Sequence, residues 1–598
     1  MKKRKGGKIN IDLDPDEIFM DSKNISNFDT QQFEGKIERP IAKRVYIGVG
    51  VVFFIFVILV SWRLFLLQIA QGQKYEARSE NNRLKLIPVY PKRGIIYDKN
   101  NNELVWNGPS FRIIGKDEEG RDIVLETLYD WEETLNYVLN NSDNGKLEIE
   151  PFSSRFYIDK SGVSNLLGYL GYPSKNDLKS SSFPLRDIMI GKEGVEKYYE
   201  EKLNGEMGMK MVEVNSAGEI SSENIQKKPV AGENIVLSVD FKVQEKIFNY
   251  IESIAKERSF QGGAGVLMDV ANGEVISLVT YPEYDSKIFS RGGPREKIEE
   301  FINNPGKPFL NRPISGLYSP GSIVKPFMAL AALNEGTISP YKNIFSSGSI
   351  SLPNPFFPDK VNIFKDWKAH GWVDMKRAIA VSSNVYFYEI GGGFEDVKGL
   401  GVTKIQDYAK RFGLGSLTGI DLFGEKPGLV LSPEWKKENE KNNPIWRIGD
   451  TYNMSIGQGA YQVTPIQMAV FVSAVANNGK IIKPHLIEGE PEQIRDLNIP
   501  EEYFRIVKEG MRMAVTEGTA SSLYIPNLNI AAKTGTAEIG ISKKYINSWI
   551  IGFFPYENPK YAFVFLMEKG PEENSGTATY VARQVLEWMS IYTPNYFK

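Results

Sequence analysis

Cysteine is absent from this chain of 598 residues, and histidine occurs only twice, at His370 and His485. The first absence excludes disulfides, thiol nucleophiles, thiolate zinc sites and cysteine-ligated iron–sulfur clusters. The second excludes a three-histidine metal site and leaves two candidates for a Ser–His couple. Neither sign of charge dominates: Lys+Arg is 72 against Asp+Glu 74, a net charge of -2. No bulk positive field therefore points to nucleic acid. No G-x-x-x-x-G-K-[ST] stretch and no strand-framed G-x-G-x-x-G is present, so nothing supports a nucleotide site. No internal repeat is visible. Acid–base chemistry in such a chain falls to Lys, Asp, Glu, Ser or Tyr.

Hydrophobic residues make up 42 % and charged residues 24 %, a globular balance with ample material for a core. One stretch departs from it. Val45 to Trp62 carries no charge, and after Arg63 the apolar run resumes through Leu64 to Leu67. Around 20 apolar residues cross a bilayer, and an arginine near the end can snorkel to the interface. A cleaved signal peptide is shorter and starts earlier. A buried core helix of this length is rarely apolar on every face. The pattern predicts a retained single span over 45–69 behind a disordered tail over 1–44. Lys36, Arg39, Lys43 and Arg44 precede the span, whereas Lys74, Arg78 and Arg83 beyond it are balanced by Glu76 and Glu80. The positive-inside rule then puts the N-terminus in the cytoplasm and the rest of the chain outside, tethered to the cell membrane and its lipid bilayer.

From 70 to 233 the chain is polar and irregular, with a turn and short strand at Pro91–Asp98 and helix candidates at Trp131–Leu139 and Gly194–Leu203. It carries no catalytic constellation and reads as a spacer or docking module. From 234 to 598 the texture changes. Ile235–Val239 reads as a strand and Phe241–Lys256 as a helix. Asn272-Gly273 between two apolar runs marks a hairpin. Trp549–Phe554 and Tyr561–Met567 form a second strand pair, and Thr577–Tyr592 a closing helix. Strands at both ends with helices between predict one antiparallel sheet with segregated helices, an α+β domain.

The chemistry lies in that domain. Ser322-Ile323-Val324-Lys325 opens a helix, which puts Ser322 and Lys325 on one side of it. A serine hydroxyl is a poor nucleophile until a base takes its proton. A lysine buried among apolar groups and other cations loses basicity and can be that base. Ser382-Ser383-Asn384 supplies S-x-N, and Lys533-Thr534-Gly535-Thr536 supplies K-T-G-T in a strand-like setting, where glycine permits close approach and the threonines offer hydroxyls. Alone each element says little. In this order they are the signature of serine penicilloyl enzymes.

With these motifs the chain resembles the class B penicillin-binding proteins, single-span D,D-transpeptidases. Supporting stretches are Arg93–Asp98, Gly194–Tyr199, Asn311–Gly316, Ser455–Gly459 and Ser548-Trp549. Phe364–Trp367 with His370-Gly371, and Trp446 with Gly449-Asp450-Thr451, are similar to the elongation-type branch. The resemblance implies a β-rich pedestal over 70–233, similar to a dimerisation domain, and a transpeptidase domain over 234–598. It implies that Ser322 acylates itself with a D-Ala-D-Ala stem peptide and that Lys325 is the general base. Ser382, helped by Lys533, relays the proton to the leaving amine. Asn384 holds the donor backbone, and Thr534, Gly535 and Thr536 form the strand that receives its carboxylate. The oxyanion hole would be the N–H groups of Ser322 and Thr536. A second stem's amine then attacks. β-Lactams acylate the same serine, and the scheme uses no metal or cofactor. A RodA-like membrane glycosyltransferase, met through the span and pedestal, is the implied partner.

Division-type transpeptidase, D,D-carboxypeptidase and membrane β-lactam sensor are the alternatives. Septal localisation, hydrolysis of the acyl-enzyme, or further spans with a signalling domain would mark them respectively. Asp366 and His370 are too few for a metal site. His485 is expected at a surface or turn, Gly391–Gly393 in a loop, and Lys436, Lys437 and Lys441 on a solvated face. Trp446 and Asp450 either line the groove or brace it.

Overall fold

A computed structural model describes residues 43–75, 83–116, 122–141, 147–179, 189–215, 220–354, 357–489, 494–540 and 544–598. The tail expected over 1–44 lies outside them but for its last two residues. The described chain forms two compact units. One contains the residues up to Ile87 with Lys210–Asn224; the other contains Pro88–Met209 with Ile225–Lys598.

In the first unit, α1 (Lys43–Phe65) continues as a wider π-helical turn to Ala70. No residue of α1 is buried, and among the described residues it is the one helix long and apolar enough to cross a membrane.

The second unit contains most of the region expected as a pedestal, while its ends up to Ile87 and over Lys210–Asn224 fall in the first unit. Its strands are β1 (Ile96–Tyr97), β2 (Glu103–Lys116), β3 (Asp122–Leu128) and β4 (Glu148–Tyr157). β2 pairs antiparallel with β4 from Val105↔Tyr157 to Ile114↔Glu148. This region is thus more regular than its sequence suggests. The reason is that one face is open to solvent, so polar residues fill half of each strand. Trp131–Asn141 is helical as expected, while Gly194–Asn204 splits into two short helices at Tyr199.

A buried ion network holds the pedestal together. Arg93 Nε donates to Glu196 at 2.7 Å, and its Nη2 to Glu200 at 2.7 Å. Arg155 Nε donates to the other Glu196 oxygen at 2.7 Å and its Nη1 to Asn107 at 3.0 Å. Glu196 is fully buried, and its two arginine partners hold its carboxyl below the usual range against the opposing effect of burial.

The strand expected over Ile235–Val239 is reduced to β5 (Ile235–Val236), which pairs parallel with β1. There follow α2 (Phe241–Glu257), β6 (Gly262–Asp269) and β7 (Val275–Tyr281). Asp240 caps α2 by accepting from the N–H groups of Lys242 and Val243. Next come α3 (Lys325–Asn334), α4 (Met375–Ala380), α5 (Asn384–Gly392), α6 (Ile448–Ser455), α7 (Pro465–Ala476) and α8 (Glu501–Glu517). The chain closes with β8 (Ala531–Ile539), β9 (Tyr545–Phe554), β10 (Tyr561–Pro571) and α9 (Thr577–Tyr592).

The sheet order is β7-β6-β10-β9-β8, antiparallel throughout. Strand residues of alternate parity enter two cores. Leu267, Ile550, Phe563 and Phe565 pack with α2 and α9. Val266, Met268, Ile551, Val564 and Leu566 pack with α3, α5 and α7. Both faces are covered, which explains the unbroken apolar runs that β9 and β10 show in sequence. Every residue of α7 is buried. β8 is the edge strand, and the candidate site is built against it.

Candidate active site

Ser322 lies in a 3-10 turn, Gly321–Val324, and Lys325 is the first residue of α3. Pro326 is tolerated because the first helical turn needs no donor there. Ser322 is half-buried, Lys325 wholly buried. Two glycines let this turn lie against β8. A Cβ on Gly321, whose φ is +58°, would meet the Thr536 carbonyl oxygen at 2.6 Å; one on Gly535 would meet Ile323 Cγ2 at 2.8 Å and the Pro320 oxygen at 3.0 Å. The close approach expected of the K-T-G glycine is therefore made by the serine turn itself.

The S-x-N element joins two helices. Ser382 follows α4 and adopts φ +57°, a left-handed conformation uncommon for non-glycine residues and shared by eight others among the described residues. Its N–H donates to the Ile379 carbonyl at 3.3 Å, and Ser383 then caps α5. This sharp junction directs Ser382 and Asn384 at the lysines. Lys325 Nζ donates to the Ser382 carbonyl at 2.8 Å, to its Oγ at 3.2 Å, and to Asn384 Oδ1 at 2.8 Å. Lys533 Nζ donates to the same Oγ at 2.8 Å and to the Thr534 carbonyl at 2.9 Å. The Phe387 ring lies 5.4 Å from the Lys325 ammonium.

Burial pushes the Lys325 ammonium down to about 7, with the Asp366 carboxylate partly opposing it. Burial, and then the neighbouring Lys325, hold Lys533 well below its usual value. The common cause is desolvation: an ammonium with no water around it, and a second one nearby, is costly. Near neutral pH the pair thus offers an unprotonated amine beside a serine.

On β8 the carbonyls of Thr534 and Thr536 accept from Lys533 Nζ and, at 3.4 Å, from Gln458 Nε2. The amide and carbonyl of one strand residue point the same way, so the N–H groups of Thr534 and Thr536 also face the open edge. The Thr534 hydroxyl is 2.7 Å from that of Thr519. The edge can accept an added extended strand, as in β-augmentation. All eight residues singled out in the sequence thus lie in or beside one groove between α3, the Ser382 turn and β8.

Sequence reasoning missed several supports. Gly457 accepts the Gly321 N–H through its carbonyl at 2.9 Å, and Gln458 and Thr519 hold β8. In the sequence the Ser455–Gly459 stretch enters only through the resemblance. Asp366 turns out to be buried beneath the S-x-N turn. Of the weaker readings, Lys436 is not solvated: it is buried and pairs with Asp450 at 2.6 Å. Asp450 and Trp446 brace, the first also accepting the Arg447 N–H, the second donating to Thr451. His485 is buried, its ring nitrogens near the Ile487 and Asn272 carbonyls. Gly391 and Gly392 belong to α5; a Cβ on Gly391 would strike Ser455 Oγ, so these glycines bring α5 and α6 together.

A family model described as the penicillin binding protein transpeptidase domain matches residues 263–587, more than half of the chain, and one described as the penicillin-binding protein dimerisation domain matches 122–237. The peptidoglycan D,D-transpeptidase MrdA of Salmonella typhimurium is 31 % identical over 92 % of this chain and 96 % of its own. Among solved structures, a complex between penicillin-binding protein PBP2 and MreC from Helicobacter pylori superposes with TM-score 0.73, at 26 % identity over 84 % of this chain and 99 % of that one. A peptidoglycan synthase complex, described as coordinating polymerization and crosslinking, gives TM-score 0.70 at 26 % identity over 91 % and 97 %.

Proposed function

The chain belongs to the penicillin-binding protein transpeptidases, and from that premise we propose how it works. It is a peptidoglycan D,D-transpeptidase of the elongation type, and Ser322 is its nucleophile. Neutral Lys325 accepts the Ser322 proton as Oγ attacks the carbonyl carbon of the penultimate D-Ala. The negative charge that develops on the carbonyl oxygen falls between the N–H groups of Ser322 and Thr536, which need no reorganisation to receive it. As the tetrahedral intermediate collapses, the C–N bond breaks. The departing amine takes a proton from the Ser382 hydroxyl, which is replenished from the lysine pair. Asn384 and the β8 edge hold the donor stem extended, and Thr534 and Thr536 hold its terminal carboxylate through their hydroxyls. The amine of a second stem then attacks the ester and loses a proton to Lys325, which passes it to the departing Ser322 Oγ and is neutral again. A β-lactam follows the first half of this course.

One observation carries the assignment: the buried Lys325 amine, one helical turn after a serine, bonded to the S-x-N turn that a second buried lysine also reaches. The sequence supports a reading in which 1–44 is cytoplasmic, 45–69 crosses the membrane, 70–233 is the pedestal and 234–598 the external catalytic domain. A RodA-like glycosyltransferase is the partner we favour, because the fold resembles a protein from a complex that couples polymerization to crosslinking. The test of the activity uses the full chain in detergent with a D-Ala-D-Ala stem donor and an amine acceptor. Release of D-Ala together with a cross-linked peptide is expected, and both should vanish in Ser322→Ala. Release of D-Ala with no cross-link, acceptor present, would instead indicate a carboxypeptidase.

A further inference from the structure

The mechanism above uses no carboxylate, yet one lies buried beneath it. The Asp366 side chain is wholly shielded from solvent. Its Oδ2 accepts from Ser383 Oγ at 2.8 Å, from the Val385 N–H at 3.0 Å and from Ser346 Oγ at 3.2 Å; its Oδ1 accepts from the Trp367 N–H at 2.9 Å. The adjoining residues grip the same place. The Trp367 indole donates to the Val381 carbonyl at 3.2 Å, and Tyr388 donates to the Lys365 carbonyl at 3.2 Å. The segment Lys365–Trp367 therefore holds residues 381–388 at four points. Val385 is the second residue of α5, so Asp366 caps that helix from outside, where negative charge is favoured.

His370 Nε2 stands 3.6 Å from Asp366 Oδ1, too far for a hydrogen bond, and it has no hydrogen-bond partner among the described residues. Burial keeps the imidazole below its ordinary value and so disfavours its charged form. The buried charge is therefore not matched by its histidine neighbour.

We propose that Asp366 is a positioning residue for the reaction: its carboxylate locks the strained Ser382 turn and the start of α5, so that Ser382 Oγ and Asn384 Oδ1 stay aimed at Lys325, and its negative charge acts on Lys325 from behind that turn. The inference rests on Lys325 and Ser382 having the roles given above. A left-handed serine between two helices persists only when its surroundings over-determine it. Asp366, through Ser383 and Val385, supplies that constraint on the α5 side, as the Ile379 and Ala378 carbonyls do on the α4 side.

The charged and titratable groups that interact with Lys325 are Asp366 and His370 from one segment and Lys533 from β8; α5 presents Asn384 and the Phe387 ring to it. Asp366 is the one that favours the ammonium. Removing its charge lowers Lys325 further, so the unprotonated base persists to lower pH.

The test compares second-order rates of acylation by a fluorescent penicillin, from pH 5 to 9, for the full chain, Asp366→Asn, Ser383→Ala and Ser322→Ala, with a Tm for each. For Asp366→Asn we expect a plateau rate at least tenfold lower, and an acid limb moved by half a pH unit or more to lower pH. Ser383→Ala keeps the charge, so its plateau should fall while its limb stays. A parent-like rate and limb in Asp366→Asn overturns the proposal. So does a lower rate with an unmoved limb and a falling Tm, which is merely structural. Failure of the underlying reading looks different: the parent is not labelled, or Ser322→Ala still is.

Discussion

Lys325 and Lys533 donate to a single hydroxyl, that of Ser382, at 3.2 and 2.8 Å. Two buried ammonium groups so placed repel one another, and neither has water to stabilise its charge. The pair is most stable carrying little charge, which is what a base needs before it takes a proton and what a relay needs before it passes one. Several measurable consequences come from this arrangement and its supports.

Acylation by a β-lactam should depend on pH through Lys325. The amine acts as base only when unprotonated, and burial pushes it down to about 7. The rate should therefore rise through about pH 7 and level above it. Lys325→Arg keeps a positive charge at every working pH and cannot accept a proton. Its acylation should be slower by about 10²–10⁴, the usual contribution of a general base. Stopped-flow labelling across the pH range checks both.

The same lysine should lower stability at neutral pH. It is neutral when folded and protonated when unfolded between about 7 and its ordinary value of 10.5. Unfolding then takes up a proton, so stability rises with pH in that window. Relative to Lys325→Met, the parent should gain about 1.4 kcal/mol per pH unit there. Thermal melts of both proteins at pH 7.5 and 9.5 are the check; a difference independent of pH would contradict the neutral assignment.

Gly535→Ala should affect activity more than stability. The added methyl meets Ile323 Cγ2 at 2.8 Å and the Pro320 carbonyl at 3.0 Å, and must push β8 away from the serine turn. Overpacking of this kind costs about 1–3 kcal/mol. Acylation should fall by two orders of magnitude or more, because the Thr536 N–H leaves the oxyanion position. Labelling rates beside a Tm would separate the two effects.

Glu196→Gln should do the reverse. It leaves Arg155 buried without its anion and Arg93 with Glu200 alone, and breaking such a network costs about 3–5 kcal/mol. The Tm should drop markedly, while acylation per folded molecule stays near the parent value, since no catalytic group is touched. A parent-like Tm would mean that the network is not what holds the pedestal.

Much of this was legible in the sequence. The long apolar helix α1, the hairpin at Asn272-Gly273 and the paired strands β9 and β10 follow from hydrophobic pattern and turn chemistry alone. The eight site residues could be named because their motifs stand in a known order. Other features depend on contacts between residues distant in the chain. Lys436 looks like one more surface lysine until Asp450 is seen beside it. Asp366 reads only as half of an insufficient metal pair until Ser383 and Val385 fold onto it. Gly321 and Gly457 lie in turns and Gly535 in β8, and only the fold shows that all three belong to one contact around Ser322. The long pedestal strands were missed for a different reason: a half-exposed strand lacks the apolar run by which buried strands are recognised.

The most direct test of the account is to label the full chain with a fluorescent penicillin, digest it and locate the adduct by mass spectrometry. The account expects one adduct, on Ser322 within the peptide carrying Ser319–Lys325, and none in Ser322→Ala. An adduct on any other residue, or persistent labelling of Ser322→Ala, would contradict it.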